Sequence, residues 1–403
     1  MTLDPNNVFL LACFAMKAGL VPAVWGPPGC GKTALTPLLA RSLGYLPADD
    51  DGDFYNRAGF VSVAMSYVVP EDISGLPVKG EENTVVRLHD SHIVMACENP
   101  CLFVVDEANR FVSQAAANVA LRLYQERMAG DRCLHSGTSI ILLMNGVTSE
   151  GARELSPALA NRLCHLVYTP DSSDFISYLS GGNGVLPVLP DNWPEVGGAD
   201  IAAARSMVAS FLRANPLKAH SEPGANKVTD KPWGRDICGP WASWRSWDNF
   251  ARVIALVGKF GDIRKPIYAD IVHNLGLGII GNVASEFHNF LTKSDLRSGA
   301  EVLDTPGVYI VPRRIDILWA EAMSASVEAR RRNTLAAWHT CLDVYRAIDK
   351  HGMAEVPAIA LPFLLGCNKD GVGLSSVFAG DLINQPDIRK LFMEISKQTG
   401  IYK

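Results

Sequence analysis

The segment Gly26-Pro27-Pro28-Gly29-Cys30-Gly31-Lys32-Thr33, followed by Ala34, fits the pattern G-x-x-x-x-G-K-[ST] of a phosphate-binding loop. Glycines suit that task because backbone N–H groups must wrap phosphate oxygens without a Cβ in the way. A helix beginning there would point its positive end at the same anion. Lys32 would neutralise the β- and γ-phosphates, and the Thr33 hydroxyl would ligate Mg2+. Pro37 falls about a turn into that helix, where it removes a backbone donor and predicts a kink.

Two further polar positions end apolar runs. Cys101-Leu102-Phe103-Val104-Val105 delivers Asp106 and Glu107 to the C-terminal edge of a buried strand, where open α/β sheets bind ligands. Asp106 would hold the Mg2+ shell, and Glu107 would polarise an attacking water. A solvated strand cap is the plainer alternative, weakened by the phosphate-binding loop upstream. Asn145 follows Ile141-Leu142-Leu143-Met144 and could reach between a γ-phosphate and the water; the plainer alternative is a turn begun before Gly146.

Positioning these groups needs a sheet. Apolar runs at Val21–Trp25, Phe60–Ser66, Cys101–Val105, Ser139–Met144 and Leu163–Tyr168 lack alternation, as befits strands covered on both faces of a parallel sheet. Val112, Ala115, Ala116, Val119 and Leu123 recur at helical spacing and predict one apolar stripe. Strands alternating with helices imply an α/β sandwich. Residues 181–199 and 215–242 are rich in Gly and Pro and read as loops. Helical patterns dominate from Ser243 onward.

Composition narrows the class. The 403 residues are 48% apolar and 20% charged, which excludes wholesale disorder. The net charge of −5, from 37 basic and 42 acidic side chains, disfavours a broad grip on nucleic acid. No apolar run approaches the ~18 residues of a membrane span, and the start lacks the basic region of a signal peptide, so a cytoplasmic location is expected. Nine scattered cysteines form no disulfide framework, and the Cys97/Cys101 pair lacks zinc-site companions. The Arg330-Arg331-Arg332 run reads as a solvated helix face rather than an anion contact.

In this order the motifs resemble the AAA+ superfamily of ring ATPases. Tyr67-Val68-Val69-Pro70-Glu71-Asp72-Ile73-Ser74-Gly75-Leu76-Pro77, Asp106-Glu107-Ala108-Asn109-Arg110, the stretch Glu154 to Leu163, and Trp241-Ala242-Ser243-Trp244-Arg245-Ser246-Trp247 look like its MoxR branch. Trp244 stands where that branch usually has proline before the arginine.

The resemblance implies a P-loop αβα sandwich with a five-stranded parallel sheet, then an α-helical lid and a helical C-terminal region. The expected divisions are 1–170 for the nucleotide-binding domain, 171–242 for a linker or insertion, 243–300 for the lid and 301–403 for the extension. It implies that Asn145 senses the γ-phosphate, that Arg162 is an arginine finger given to a neighbour's ATP, and that Arg245 reaches the phosphates of its own subunit. Arginine suits both roles through its planar, permanently charged fork. Inserts at Tyr67–Asp90 and Gln125–Ser136 would face a ring pore. ATP with Mg2+, a homo-oligomeric ring (expected as a hexamer) and a protein partner, often with a von Willebrand factor A domain, complete the expectation. Asn368-Lys369-Asp370-Gly371 lacks the final Asp of a guanine reader, which favours ATP. The alternatives are a nucleic-acid motor or loader of a defence or mobile-element system, and a nucleotide-gated scaffold ring.

Overall fold

The computed structural model describes residues 4, 6–47, 58–80, 84–169, 171–180, 189–190, 192–293, 296–305, 307–353, 355–365 and 393. The chain begins with α1 (Val8–Lys17), β1 (Val21–Trp25), α2 (Lys32–Ser42), β2 (Phe60–Ala64), α3 (Pro70–Ser74), β3 (Leu76–Lys79), β4 (Val85–Leu88) and α4 (Ser91–Glu98). It continues through β5 (Leu102–Asp106), α5 (Gln114–Glu126), β6 (Met128–Ala129), β7 (Arg132–Cys133), β8 (Ser139–Met144), α6 (Pro157–Ala160) and β9 (Leu163–Val167). The later helices are α7 (Ser172–Leu179), α8 (Gly198–Ala214), α9 (Trp244–Gly258), α10 (Pro266–Ile280), α11 (Val283–Lys293), α12 (Gly299–Asp304), α13 (Ile315–Arg332), α14 (Leu335–Lys350) and α15 (Glu355–Leu365).

Five strands form one parallel sheet in the order β2-β5-β8-β1-β9. Every side chain of β8 is buried, as are Leu102–Val105 of β5 and Pro22–Trp25 of β1, which is why these runs read as unbroken apolar stretches. Asn7 caps α1 by accepting from the N–H groups of Phe9 and Leu10, each at 3.0 Å, and α1 packs on β1, β8 and β9. Gly278 of α10 lies so close to β9 that a Cβ would sit 2.3 Å from the His165 carbonyl. Only glycine allows that approach.

One local expectation is corrected. The helix after β5 starts later than the apolar stripe suggested, because the Ser113 hydroxyl caps it by accepting from Ala116 N–H at 3.1 Å. Its buried face is therefore Ala116, Ala120, Leu123 and Tyr124, while Val112 and Ala115 are exposed. Pro37 stands inside α2. The carbonyl that it leaves without a helical donor, that of Thr33, accepts instead from Thr36 Oγ1 at 2.8 Å. This repair lets α2 run through the proline.

The chain divides into two compact units, residues 1–194 with 220–288, and 195–219 with 289–403. These differ from the sequence-based divisions at 170, 242 and 300. In the second unit α8 packs along α13, with Ala209 against a core that includes Trp319, Trp338 and Tyr345. Helices α9 and α10 share the first unit with the sheet. The Gly/Pro-rich stretch resolves only in part: 192–197 is irregular and α8 starts at Gly198, while 181–188 lie outside the described residues, as does the Asn368–Gly371 segment.

The Tyr67–Asp90 insert contains α3 and the β3–β4 hairpin; the Gln125–Ser136 insert contains the β6–β7 hairpin. They meet where His89 Nε2 lies 2.6 Å from Asp131 Oδ1. Along Arg330–Arg332, Arg331 pairs with Glu328 at 2.6 Å, and Arg332 reaches both Glu328 and Asp304. Two of the three arginines are thus paired within their own unit.

Candidate nucleotide site

The phosphate-binding loop leaves the end of β1 and turns into α2 through two left-handed glycines, Gly29 at φ 75° and Gly31 at φ 87°. A Cβ at either would meet nothing within 4 Å. It is the backbone conformation rather than crowding that demands glycine here. Gly31 is the N-cap of α2 and offers no capping side chain, so the first N–H groups of the helix face outward as anion donors.

Lys32, the first residue of α2, is almost fully buried. Its ammonium donates to the carbonyls of Gly26 and Pro27, both at 2.8 Å, and to Asn145 Oδ1 at 3.2 Å. Cys30 Sγ lies 3.6 Å from the same nitrogen. The Thr33 hydroxyl donates to Asp106 Oδ2 at 2.7 Å. Ala34 is exposed in the first turn. Four expected residues from three elements thus converge: Lys32 and Thr33 from α2, Asp106 from the end of β5 and Asn145 just past β8. The sheet order explains it, since β8 lies between β5 and β1.

A hydroxyl and a carboxylate within hydrogen-bond distance are hard oxygen donors, few in number. That is the protein share of a site for Mg2+, which keeps waters and substrate phosphates as its remaining ligands. The residues present fit the ion.

Glu107 follows Asp106 in the left-handed region, φ 48°, with its N–H held by Asp106 Oδ1 at 2.8 Å. Its carboxylate pairs with Arg110, Oε1 to Nη1 at 2.6 Å. Sequence reasoning gave Asn109 and Arg110 no role. The signal lay in the Asp106–Arg110 stretch, where two polar residues follow the acidic pair after Ala108.

Arg162 and Arg245 occur together. Arg162 Nη1 donates to the Ala158 carbonyl at 2.6 Å, and its ionisation is disfavoured by desolvation and then by the Arg245 charge beside it. The buried Asn161 carboxamide ties the two segments, donating to the Trp241 carbonyl at 2.9 Å and accepting from Ser243 Oγ at 2.6 Å. Ser243 is the N-cap of α9, which carries Arg245 in its first turn. Among the described residues neither arginine has a carboxylate partner. Among the described residues no hydrogen bond or ion pair joins Arg245 to the phosphate-binding loop of its own chain.

A cavity of about 710 Å³ opens beside β9, lined among others by Asn6, Val167, Lys227, Trp233 and Asn274. None of the phosphate-loop residues lines it.

No curated protein gives a significant match to the chain. Among solved structures, a protein from Cytophaga hutchinsonii described as a "putative ATPase" aligns at 15% identity over 69% of this chain and 82% of its own, with a TM-score of 0.40. The stretch from β1 to the start of β9, residues 23–163, matches the family model of the AAA domain (dynein-related subfamily), and the five-stranded parallel sheet is the α/β core of that domain.

Proposed function

We propose that the protein is an ATP-hydrolysing AAA+ ring ATPase of MoxR-like type, acting as a hexameric ring that remodels a partner protein. The observation that carries this reading is the convergence of Lys32, Thr33, Asp106 and Asn145 on one glycine-lined loop, with Glu107 next in the chain. Lys32 and the N–H groups of α2 bind the phosphates. Thr33 and Asp106 hold Mg2+, which supplies charge neutralisation on the substrate phosphates. Glu107 takes the proton of the attacking water, and Asn145 orients that water against the γ-phosphate. Catalysis of this kind is positioning and electrostatics.

The closeness of Arg162 and Arg245 supports giving both to one anion, the ATP of a neighbouring copy, rather than dividing them between two sites. Two guanidiniums side by side without a carboxylate are stabilised when a polyphosphate joins them. The β3–β4 hairpin supports a protein substrate over a nucleic acid. Leu76, Val85, Val86 and Leu88 are all exposed there, an apolar surface ill suited to phosphates.

The test is a pair of variants. Lys32→Ala should weaken nucleotide binding, whereas Glu107→Gln should keep binding and lose turnover. Near-normal hydrolysis by Glu107→Gln would remove the assigned base.

A further inference from the structure

The turn after β5 continues through Ala108, Asn109 and Arg110. Asn109 is fully buried, and its carboxamide is engaged with the backbone of Asn145. Nδ2 donates to the Asn145 carbonyl at 2.8 Å, and Oδ1 accepts from the Asn145 N–H at 3.3 Å. The same Nδ2 reaches the Arg153 carbonyl at 3.3 Å. Two backbone bonds complete the joint: Ala108 N–H to Leu143 O, and Arg153 N–H to Asn109 O. The acidic turn and the strand end carrying Asn145 are thereby one piece.

Arg110 works on the other side of that piece. Its Nη1 holds Glu107 Oε1 at 2.6 Å, while Nε (at 3.2 Å) and Nη2 both donate to the Glu150 carbonyl. Among the described residues Glu107 Oε2 accepts no hydrogen bond. One oxygen is fixed and the other is available to a water. The guanidinium is itself anchored to the loop following Asn145, so the carboxylate and the amide are referenced to the same frame.

We propose that Asn109 and Arg110 are positioning residues for the hydrolysis assigned to this site. Arg110 holds Glu107 by one carboxylate oxygen so that the other meets the water, and Asn109 keeps Asn145 at a set distance from that carboxylate. The inference rests on the reading of Glu107 as the base. A partly exposed ion pair three residues apart contributes little to stability, yet a misplacement of about 1 Å in a catalytic group can cost ~10²-fold in rate. The two roles are therefore separable by experiment.

Arg110→Ala, Arg110→Lys and Glu107→Gln in the full chain would be compared for kcat, KM, binding of a fluorescent ATP analogue and thermal midpoint. Arg110→Ala should lower kcat by ~10²-fold with KM, analogue binding and midpoint unchanged. Arg110→Lys should recover part of the loss, and Arg110→Ala combined with Glu107→Gln should be no slower than Glu107→Gln alone. Unchanged or raised kcat in Arg110→Ala, a parallel fall of kcat and midpoint, or additive losses in the double variant would overturn the proposal. Fast hydrolysis by Glu107→Gln would instead unseat the reading beneath it, whatever Arg110→Ala does. Asn109→Ala, and Asn109→Asp, which keeps the shape and the acceptor, should each lower kcat with analogue binding retained, and a folded variant of either kind with unchanged kcat would remove Asn109 from the proposal.

Discussion

Two sets of arginines, one in each compact unit, meet opposite surroundings. In the helical unit Arg297 donates through Nε and Nη2 to the buried Glu321 carboxylate at 2.9 and 2.6 Å, and Tyr309 OH joins the same group at 2.7 Å. Arg331 and Arg332 have acidic partners on their own unit. In the α/β unit Arg162 and Arg245 stand together with no carboxylate among the described residues. Arg297 has its partner inside the chain, and removing it leaves the Glu321 carboxylate buried without its counter-charge. On the proposed reading, Arg162 and Arg245 have their counter-charge in the ATP of a neighbouring copy, and in the isolated chain their mutual repulsion is uncompensated.

The largest effect expected from this contrast is on turnover. Arg162→Ala should bind ATP through Lys32 yet hydrolyse it ~10³–10⁵-fold more slowly, the loss typical of a missing arginine finger. Arg331→Ala should hydrolyse ATP as the unaltered chain does. Mixing Arg162→Ala with Lys32→Ala subunits should restore activity, since each supplies what the other lacks. Specific activity independent of concentration, with no rescue in mixed assemblies, would leave a self-contained ATPase and end the neighbour reading.

The internal partners should appear in stability instead. Arg297→Ala strands Glu321 and should destabilise the helical unit by about 3 kcal/mol, the low end for a broken buried pair because Arg297 is partly exposed. Chemical denaturation measures it. Replacing Arg297 and Glu321 together with Met and Leu should recover most of the loss. If the single and double replacements were equally unstable, the cost would lie in packing rather than in the stranded charge.

A stability effect of similar size, confined to acid pH, follows from His165 on β9. Its Nδ1 accepts from Trp25 Nε1 at 3.1 Å and its Nε2 donates to the Ala160 carbonyl at 2.9 Å, so the ring is neutral and satisfied. Burial lowers its pKa from 6.5 to about 4. Between those values the unfolded chain binds the proton and the folded chain does not. Stability is therefore full above pH 6.5 and falls as pH drops toward 4, by about 3 kcal/mol in all. His165→Gln should flatten that slope in urea midpoints measured from pH 7 to 4. An unchanged slope would assign it to other groups.

Much of this was readable from residue order. Strands β1 and β8 and the residues Lys32, Thr33, Asp106 and Asn145 could be located because continuous apolar runs end in polar groups at one sheet edge. The start of α5 was not, since the Ser113 cap overrides an apolar stripe that begins earlier. The fate of Pro37 depended on one hydroxyl, that of Thr36. The association of 195–219 with the C-terminal helices depends on the match between α8 and α13, which no local pattern encodes. Likewise the nearness of Arg162 and Arg245 rests on Asn161 reaching Trp241 and Ser243, some eighty residues on.

That last contact carries the smallest and most diagnostic prediction. If the two guanidiniums repel each other without internal compensation, Arg245→Ala should make the isolated chain slightly more stable, by a few tenths of a kcal/mol, the scale on which exposed like charges interact. For a protein of this size the thermal midpoint should rise by only about 1 °C at low ionic strength. The gain should vanish near 1 M salt, where screening shortens the Debye length to about 3 Å. With ATP at concentrations that favour assembly, the order should invert, because only the unaltered pair gains a polyphosphate partner. A variant less stable than the parent at low salt would mean that Arg245 has a structural partner after all. The two arginines would then belong with Arg297, and the contrast between the units would no longer separate function from fold.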